Sequence, residues 1–419
     1  MPDSQRLRIL LVTRNLPPLV GGMERLNWHM ADELSKTAEV RVIGPSGSAA
    51  MAPADVTVRE TTLQPLWRFL QRAWALARSE ARAWRPDIVL AGSGLTAPIA
   101  LSAARLCGAK ACVYVHGLDV AVRHPVYRAI WLRAIRGADC VIVNSHATAK
   151  LCYSIGVDPA SIAIVHPGVD VPVEAADQIG QGPEPEPSSR REPGPSAFVS
   201  SPVVRERAAQ FRQAHGLGDR PLLLSVGRLS TRKGLREFVT HALPRIVAAR
   251  PDVLLLVVGD APRQALHAEA QTPESIRTAA EAAGVGAQLL FLGVITDYAE
   301  LGAVYRASDV HVFPVRDIPG DPEGFGMVAV EAAAHGLPSV AFATGGIVDA
   351  VAEGCSGHLV PPGDYTALSN AIISALAERE SLRSSCIEFA RPFAWPEFGM
   401  RLRHHLYSTM LATPTSSPR

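Results

Sequence analysis

Short apolar runs closed by Gly, Pro or Asp alternate along this chain with longer segments of helical period, the pattern of parallel sheets flanked by helices. In the first part they predict strands at 8–13, 40–43, 88–91, 111–116, 140–144 and 163–166. A second alternating series predicts strands at 222–226, 253–258, 289–292, 310–313, 339–341 and 358–360. Runs such as IVLAG and CVIVN are apolar on both faces, as strands buried between two helix layers must be.

Between the two series the pattern breaks. The stretch that contains EPEPSSRREPGP is rich in Pro, Glu and Ser and has no face to bury. The predicted organisation is an N-terminal Rossmann-like domain over 1–170, a Pro-rich linker over 171–200, a second Rossmann-like domain over 201–390, and a C-terminal segment over 391–419. That segment, with Phe393, Trp395 and Phe398, is expected to form a helix that crosses back onto the first domain and to end in a disordered tail, ATPTSSPR. The fold class is α/β, two parallel sheets facing across a cleft, with ligands expected at the carboxyl ends of the strands.

Composition narrows the function without naming it. At 419 residues and 47% hydrophobic, the chain is too long for one core and too apolar for disorder. The net charge of +1 gives no reason to expect nucleic acid as a partner. Residues 1–170 nevertheless carry 19 Lys and Arg against 13 Asp and Glu. That excess fits an anionic acceptor or membrane surface, and it fits equally a set of solvated helices. The six cysteines show neither CxxC pairs nor metal-ligand spacing, and no run of about 18 apolar residues occurs. The expected location is the cytoplasm, with peripheral attachment to the inner face of a membrane as an addition.

Two stretches carry chemistry. Val226-Gly227-Arg228-Leu229-Ser230-Thr231-Arg232-Lys233-Gly234 leaves an apolar strand through a glycine turn and opens a helical segment, LREFVTHALPRIV. Arg228 and Lys233 thus stand beside a helix N-terminus, where free N–H groups and the dipole already favour anions. The pair suits a diphosphate, unless the turn merely carries solvated basic residues. Further on, Glu323 precedes a glycine-bracketed turn and Glu331 sits inside the apolar run MVAVEAAAHGLP. Eight helical positions between the carboxylates would span about 12 Å, which suits the two ends of an extended ligand. A carboxylate in an apolar face must be paired or bound, so Glu331 is either a ligand contact or half of an inter-helix pair.

The ordered set LLVTRNLPPLVGGMER, PGVD, VGRLSTRKG, EGFGMVAVEAAAHGLPSVA, ATGGIVDAV and PPGD resembles glycosyltransferase family 4, from about residue 8 to about residue 380. The resemblance implies a GT-B fold and a retaining transfer of a hexose from a nucleotide-diphosphate donor, with no cofactor and no catalytic metal. It implies that Glu331 holds the donor ribose and Glu323 the transferred sugar. Arg228 and Lys233 would neutralise the leaving diphosphate, joined by the N–H groups of Phe325, Gly326 and Met327. Gly21 and Gly22 would lie over the phosphates, and backbone around Val294 and 258–262 would contact the base. Asp317 and Asp321 are expected to shape the loop before Glu323 and to bind no ion.

His116 ends an apolar strand. It is either a sugar contact beside the anomeric carbon, as the resemblance implies, or a histidine satisfied by a loop carbonyl; Asp119 is expected to orient its loop. Residues 66–85 read as an amphipathic helix with Leu66, Leu70, Trp74, Ala77, Ala81 and Trp84 on one stripe and Arg68, Arg72, Arg78, Arg82 and Arg85 opposite. It either lies on anionic lipid or docks on its own sheet. The expected partners are a GDP-hexose, favoured over a UDP-sugar and mannose-type by the loop before Glu323, and a glycan or lipid-linked acceptor in surface polysaccharide or glycolipid synthesis. Two other readings stay open: a sugar-nucleotide epimerase of the same fold, and a binding protein without catalysis.

Overall fold

The protein is described from a computed structural model covering residues 6–172, 202–261 and 271–411. Most of the expected linker, Pro262 and the ATPTSSPR tail lie outside the described residues. The chain forms two compact units. The first comprises Met1–Gly168, Pro319–Met327 and Phe393–Arg419, and the second Val169–Ile318 and Val328–Pro392.

The first unit is built on seven parallel strands: β1 (Arg8–Val12), β2 (Glu39–Pro45), β3 (Val56–Thr61), β4 (Ile88–Ala91), β5 (Lys110–Val115), β6 (Cys140–Val143) and β7 (Ile162–Ile164). Their order is β3-β2-β1-β4-β5-β6-β7. Alternate residues of each strand feed opposite cores. Leu10, Val12 and Val113 pack with Phe69, Ala73 and Ala103, whereas Ile9, Leu11 and Tyr114 pack with Leu26, Met30 and Phe398. Strand β3 was not among the predicted strands. It is an edge strand, VTVRET, whose middle is largely exposed, so no apolar run marks it.

Helices α1 (Gly22–Ser35), α2 (Leu66–Ala83) and α3 (Ala97–Cys107) flank this sheet. The inward stripe of α2 is Phe69, Ala73, Ala77 and Ala81, with Glu80 buried beside it. This corrects the expected stripe: Trp74 is 45% exposed and turned to α3, where its Nε1–H donates to Ser102 Oγ at 3.1 Å. The small alanines let α2 lie close to the sheet, and buried Glu80 is held by Arg41 and Arg59, each at 2.9 Å. The last helix, Trp395–Leu411, belongs to this unit and puts Trp395, Phe398, Leu402 and Leu406 into its core.

The second unit has six parallel strands: β8 (Leu222–Val226), β9 (Leu254–Val258), β10 (Leu289–Gly293), β11 (Val310–Phe313), β12 (Ser339–Phe342) and β13 (Gly357–Val360), in the order β10-β9-β8-β11-β12-β13. Leu223, Leu255 and Val312 meet Phe238, Ile246 and Ile372 on one face; Leu222, Leu224 and Leu256 meet Val304, Tyr305 and Ala332 on the other. The segment after Gly234 forms two helices, Leu235–His241 and Leu243–Ala249, because Pro244 offers no N–H to continue the first. Both sheets reverse their strand order once, between β1 and β4 and between β8 and β11, which is where such sheets open a crevice. Among the described residues no helix is long and apolar enough to cross a membrane.

Candidate active site

At the β8/β11 switch point the loops are laced by backbone. Gly227 N–H donates to Val258 O at 2.9 Å, Leu229 N–H to Asp260 O at 2.9 Å, and Gly259 N–H to Gly293 O at 2.7 Å. Gly259 has a φ of 134°, and a side-chain carbon there would fall 1.9 Å from Gly227 O, so only glycine allows this closeness. Beyond it the chain makes a tight turn, Thr231–Lys233, and Gly234 at φ 70° starts the next helix. Any side chain on Gly234 would strike Pro314 O, while Arg316 N–H donates to Arg232 O at 2.8 Å. The loop that carries the basic residues is thereby fixed against the end of β11.

Arg228 is exposed and Lys233 half-buried, its Nζ 4.7 Å from the centre of the Phe313 ring. Beneath them His311 on β11 is buried and accepts or donates one bond, to Ser339 Oγ at 2.9 Å from Nδ1. Burial pushes its imidazole down to about 3, and the Lys233 ammonium adds to this, so His311 stays neutral next to the cation. Glu237 joins the same region: its carboxylate accepts from Arg316 Nη1 at 2.9 Å and from Gln271 Nε2 at 3.0 Å. Val294, just past β10, is 59% exposed.

Glu331 lies on the helix Met327–Ala334 and is buried. Its Oε2 accepts from the Tyr305 hydroxyl at 3.1 Å, and its main-chain O from His335 Nδ1 at 2.9 Å. The stacked Tyr305 and His335 rings, 5.2 Å apart, brace it. The helix begins only at Met327, so Glu323 sits in the preceding loop and the span of about 12 Å expected for eight helical positions does not apply.

The first unit gathers the other half of the predicted residues. Gly21 and Gly22 follow β1 and open α1. His116 follows β5: its Nε2 donates to Gly92 O at 2.9 Å, and its main-chain N–H to Asp119 Oδ2 at 3.0 Å. Asp119 therefore orients the loop, and the ring of His116 is satisfied by a carbonyl on one nitrogen. The Glu323 turn lies against this point. A side chain on Gly324 would come within 2.6 Å of both His116 O and Asn144 Nδ2. Phe325 is buried and stacks on His166 at 5.2 Å, Gly326 has a φ of 97°, and Met327 Sδ would lie 3.6 Å from a side chain on Gly22. Asp317 is exposed and Asp321 half-buried in the same loop.

Sequence reasoning missed Tyr305, Glu237, His311 and Asn144. Two of them left a signal: Asn144, like His116, is a polar residue that ends an apolar strand, and His311 interrupts the apolar run VHVF.

Two Rossmann-like parallel sheets, one with a cationic loop at its switch point, are the architecture of the GT-B fold. The model described as "Glycosyl transferases group 1" matches residues 207–393 and that of "Glycosyltransferase Family 4" residues 20–172. The chain belongs to glycosyltransferase family 4 and is a hexosyltransferase. It is 29% identical over 380 residues, 88% of this chain and 89% of the relative, to the GDP-mannose-dependent alpha-(1-6)-phosphatidylinositol monomannoside mannosyltransferase of Mycolicibacterium smegmatis. A D-inositol 3-phosphate glycosyltransferase 2 from Catenulispora acidiphila is 30% identical over 63% of this chain and 54% of its own length. The fold is similar to that of Anabaena HepE solved with UDP, with a TM-score of 0.72 and 20% identity over 96% of this chain and 100% of that one. Sucrose-phosphate synthase from Thermosynechococcus elongatus also has a TM-score of 0.72, at 21% identity over 97% and 100%.

Proposed function

We propose that the enzyme transfers mannose from GDP-mannose to a lipid-linked or glycan acceptor, with retention at the anomeric carbon and without a metal ion. The observation that carries this reading is the loop Arg228–Gly234, pinned to the end of β11 with Lys233 half-buried above Phe313. Negative charge on the leaving diphosphate grows as the glycosidic bond breaks. Cations already fixed in place stabilise that charge more than the ground state. Arg228 and Lys233 take this role, and the N–H groups of Phe325, Gly326 and Met327 add to it by donating to the phosphates.

In this reading Glu331 binds the ribose hydroxyls and Tyr305 holds its carboxylate. Glu323 and His116 contact the transferred sugar, Gly21 and Gly22 cover the phosphates, and backbone around Val294 meets the base. The bond from the anomeric carbon to the diphosphate breaks, the acceptor oxygen bonds on the face the diphosphate vacates, and the leaving diphosphate takes the acceptor's proton. The donor assignment draws support from the mycobacterial relative, named as GDP-mannose-dependent, and the acceptor from the phosphatidylinositol monomannoside in that relative's name. The enzyme works at the cytoplasmic face of a membrane, touched through its N-terminal unit, α2 included.

A thermal-shift panel of GDP, UDP and ADP, each with and without EDTA, tests this. GDP should stabilise most and be indifferent to chelation; at a hundred times its Kd it adds about 2.7 kcal/mol. Greater stabilisation by UDP, or loss of the shift with EDTA, would refute the donor or the metal-free assignment respectively.

A further inference from the structure

On the flank of the first unit, α2, α3 and the segment 125–136 enclose a surface trough of about 1140 Å³. Four arginines line it: Arg78, Arg105, Arg133 and Arg136. Arg105 ends α3 just ahead of β5, and Arg136 stands just ahead of β6. The trough is therefore at the amino ends of the strands, whereas Gly22 and His116 are at the carboxyl ends. Among the described residues none of the four guanidinium groups makes an ion pair; Arg78 donates only to the neutral Ser102 Oγ at 3.1 Å. The one carboxylate in the lining, Asp158, accepts from Ala160 N–H at 3.0 Å. Four like charges around one concavity repel one another unless an anion joins them, and the planar fork of arginine matches phosphate oxygens.

A second hollow, about 340 Å³, adjoins the first at Pro98 and is apolar, lined by Leu70, Trp74, Leu95, Ile99 and Trp131. Trp131 is fixed by a 2.8 Å bond from Nε1 to Leu95 O and by stacking on Tyr127 at 5.2 Å. Trp74 and Ile130, 45% and 48% exposed, stand on the rim. From Pro98 to Arg105 along α3 is about 10 Å, the depth over which a bilayer passes from headgroup to acyl chain. Tryptophan at that boundary is the ordinary membrane-interface arrangement.

We propose that these joined hollows are a binding site for an anionic phospholipid of the bilayer, its phosphate held by the four arginines and its first acyl carbons against Trp74 and Trp131. The inference rests on the membrane-facing reading of the function and gives it a location. An arginine pair near a charged leaflet contributes about 1 kcal/mol per residue, a factor of about five each.

The test is sedimentation of the full chain with vesicles of phosphatidylcholine alone or with phosphatidylglycerol added. Arg133→Gln/Arg136→Gln is compared with Arg68→Gln/Arg72→Gln, which removes the same charge from exposed positions of α2. The wild type should bind only the anionic vesicles. The trough pair should lose about tenfold or more in affinity and the α2 pair much less, with unfolding midpoint and turnover on a water-soluble acceptor unchanged in both. Trp74→Ser should weaken vesicle binding as well. An equal loss in the two pairs would mean that only net charge counts, and would overturn the site. Undiminished binding by the trough pair would overturn it too, while leaving the membrane reading intact. A wild type that ignores anionic vesicles would sink both.

Discussion

The two switch points share one topology and differ in what they present. At β8/β11 the loop ends are backbone laced to backbone, and on that base stand two cationic side chains, Arg228 and Lys233. At β1/β4 the backbone is packed against polar side chains that face inward: a side chain on buried Gly92 would strike Asn27 Oδ1 and Thr13. In the proposed function the first arrangement supplies charge that needs no rearrangement when a phosphate leaves. The second, through Gly21 and Gly22, lets backbone and ligand lie close to each other. A single strand order thus carries two different surfaces, and the residues after the strand, more than the sheet, set the difference.

Removing charge from the first arrangement should do the most damage. Lys233→Ala should lower turnover by about a hundredfold to a thousandfold, the range for loss of one charge-stabilising donor. Near-normal turnover in a steady-state assay would take Lys233 out of the chemistry. Crowding the Glu323 turn in the first unit comes next. Gly324→Ala puts a methyl group 2.6 Å from His116 O, and should cost about 1–3 kcal/mol of stability by urea unfolding as the turn is pushed away. An unchanged midpoint would mean that the turn is free to shift.

A smaller effect is expected from the group behind Glu331. Tyr305→Phe removes one bond to its carboxylate and should weaken nucleotide binding about fivefold, leaving turnover at saturation nearly constant. The smallest is invisible at neutral pH. His311 is depressed to about 3 from an ordinary 6.5, so the unfolded chain takes up its proton first. Its share of stability is complete above about pH 6.5 and is lost as the pH falls from there towards 3. His311→Asn should flatten that slope in urea titrations run between neutral and acidic pH; an unaltered slope would assign the acid sensitivity elsewhere.

Most strands were legible because parallel strands buried on both faces leave apolar runs that no other element needs to make. The edge strand β3 was illegible for the converse reason: one side of VTVRET faces solvent, and its alternation is too short to stand out. In α2 the sequence misled at Trp74, which reads as part of a core stripe, while the inward face is mostly alanine, whose hydrophobic signal is weak. Among the candidate site residues, Glu331 was visible as a carboxylate inside an apolar run, Arg228 and Lys233 as cations in a glycine turn beside a helix start, and Glu323 as a carboxylate before a glycine-bracketed turn. Tyr305 and Glu237 were not, since each matters only through a partner brought near by the fold.

The central claim is that Arg228 and Lys233 recognise the diphosphate and nothing else of the donor. Calorimetric titration of Arg228→Ala/Lys233→Ala with a nucleoside diphosphate and with the matching nucleoside tests it directly. The double variant should bind the diphosphate about a hundredfold more weakly and the nucleoside unchanged. Equal losses for the two ligands, or no loss for either, would contradict it.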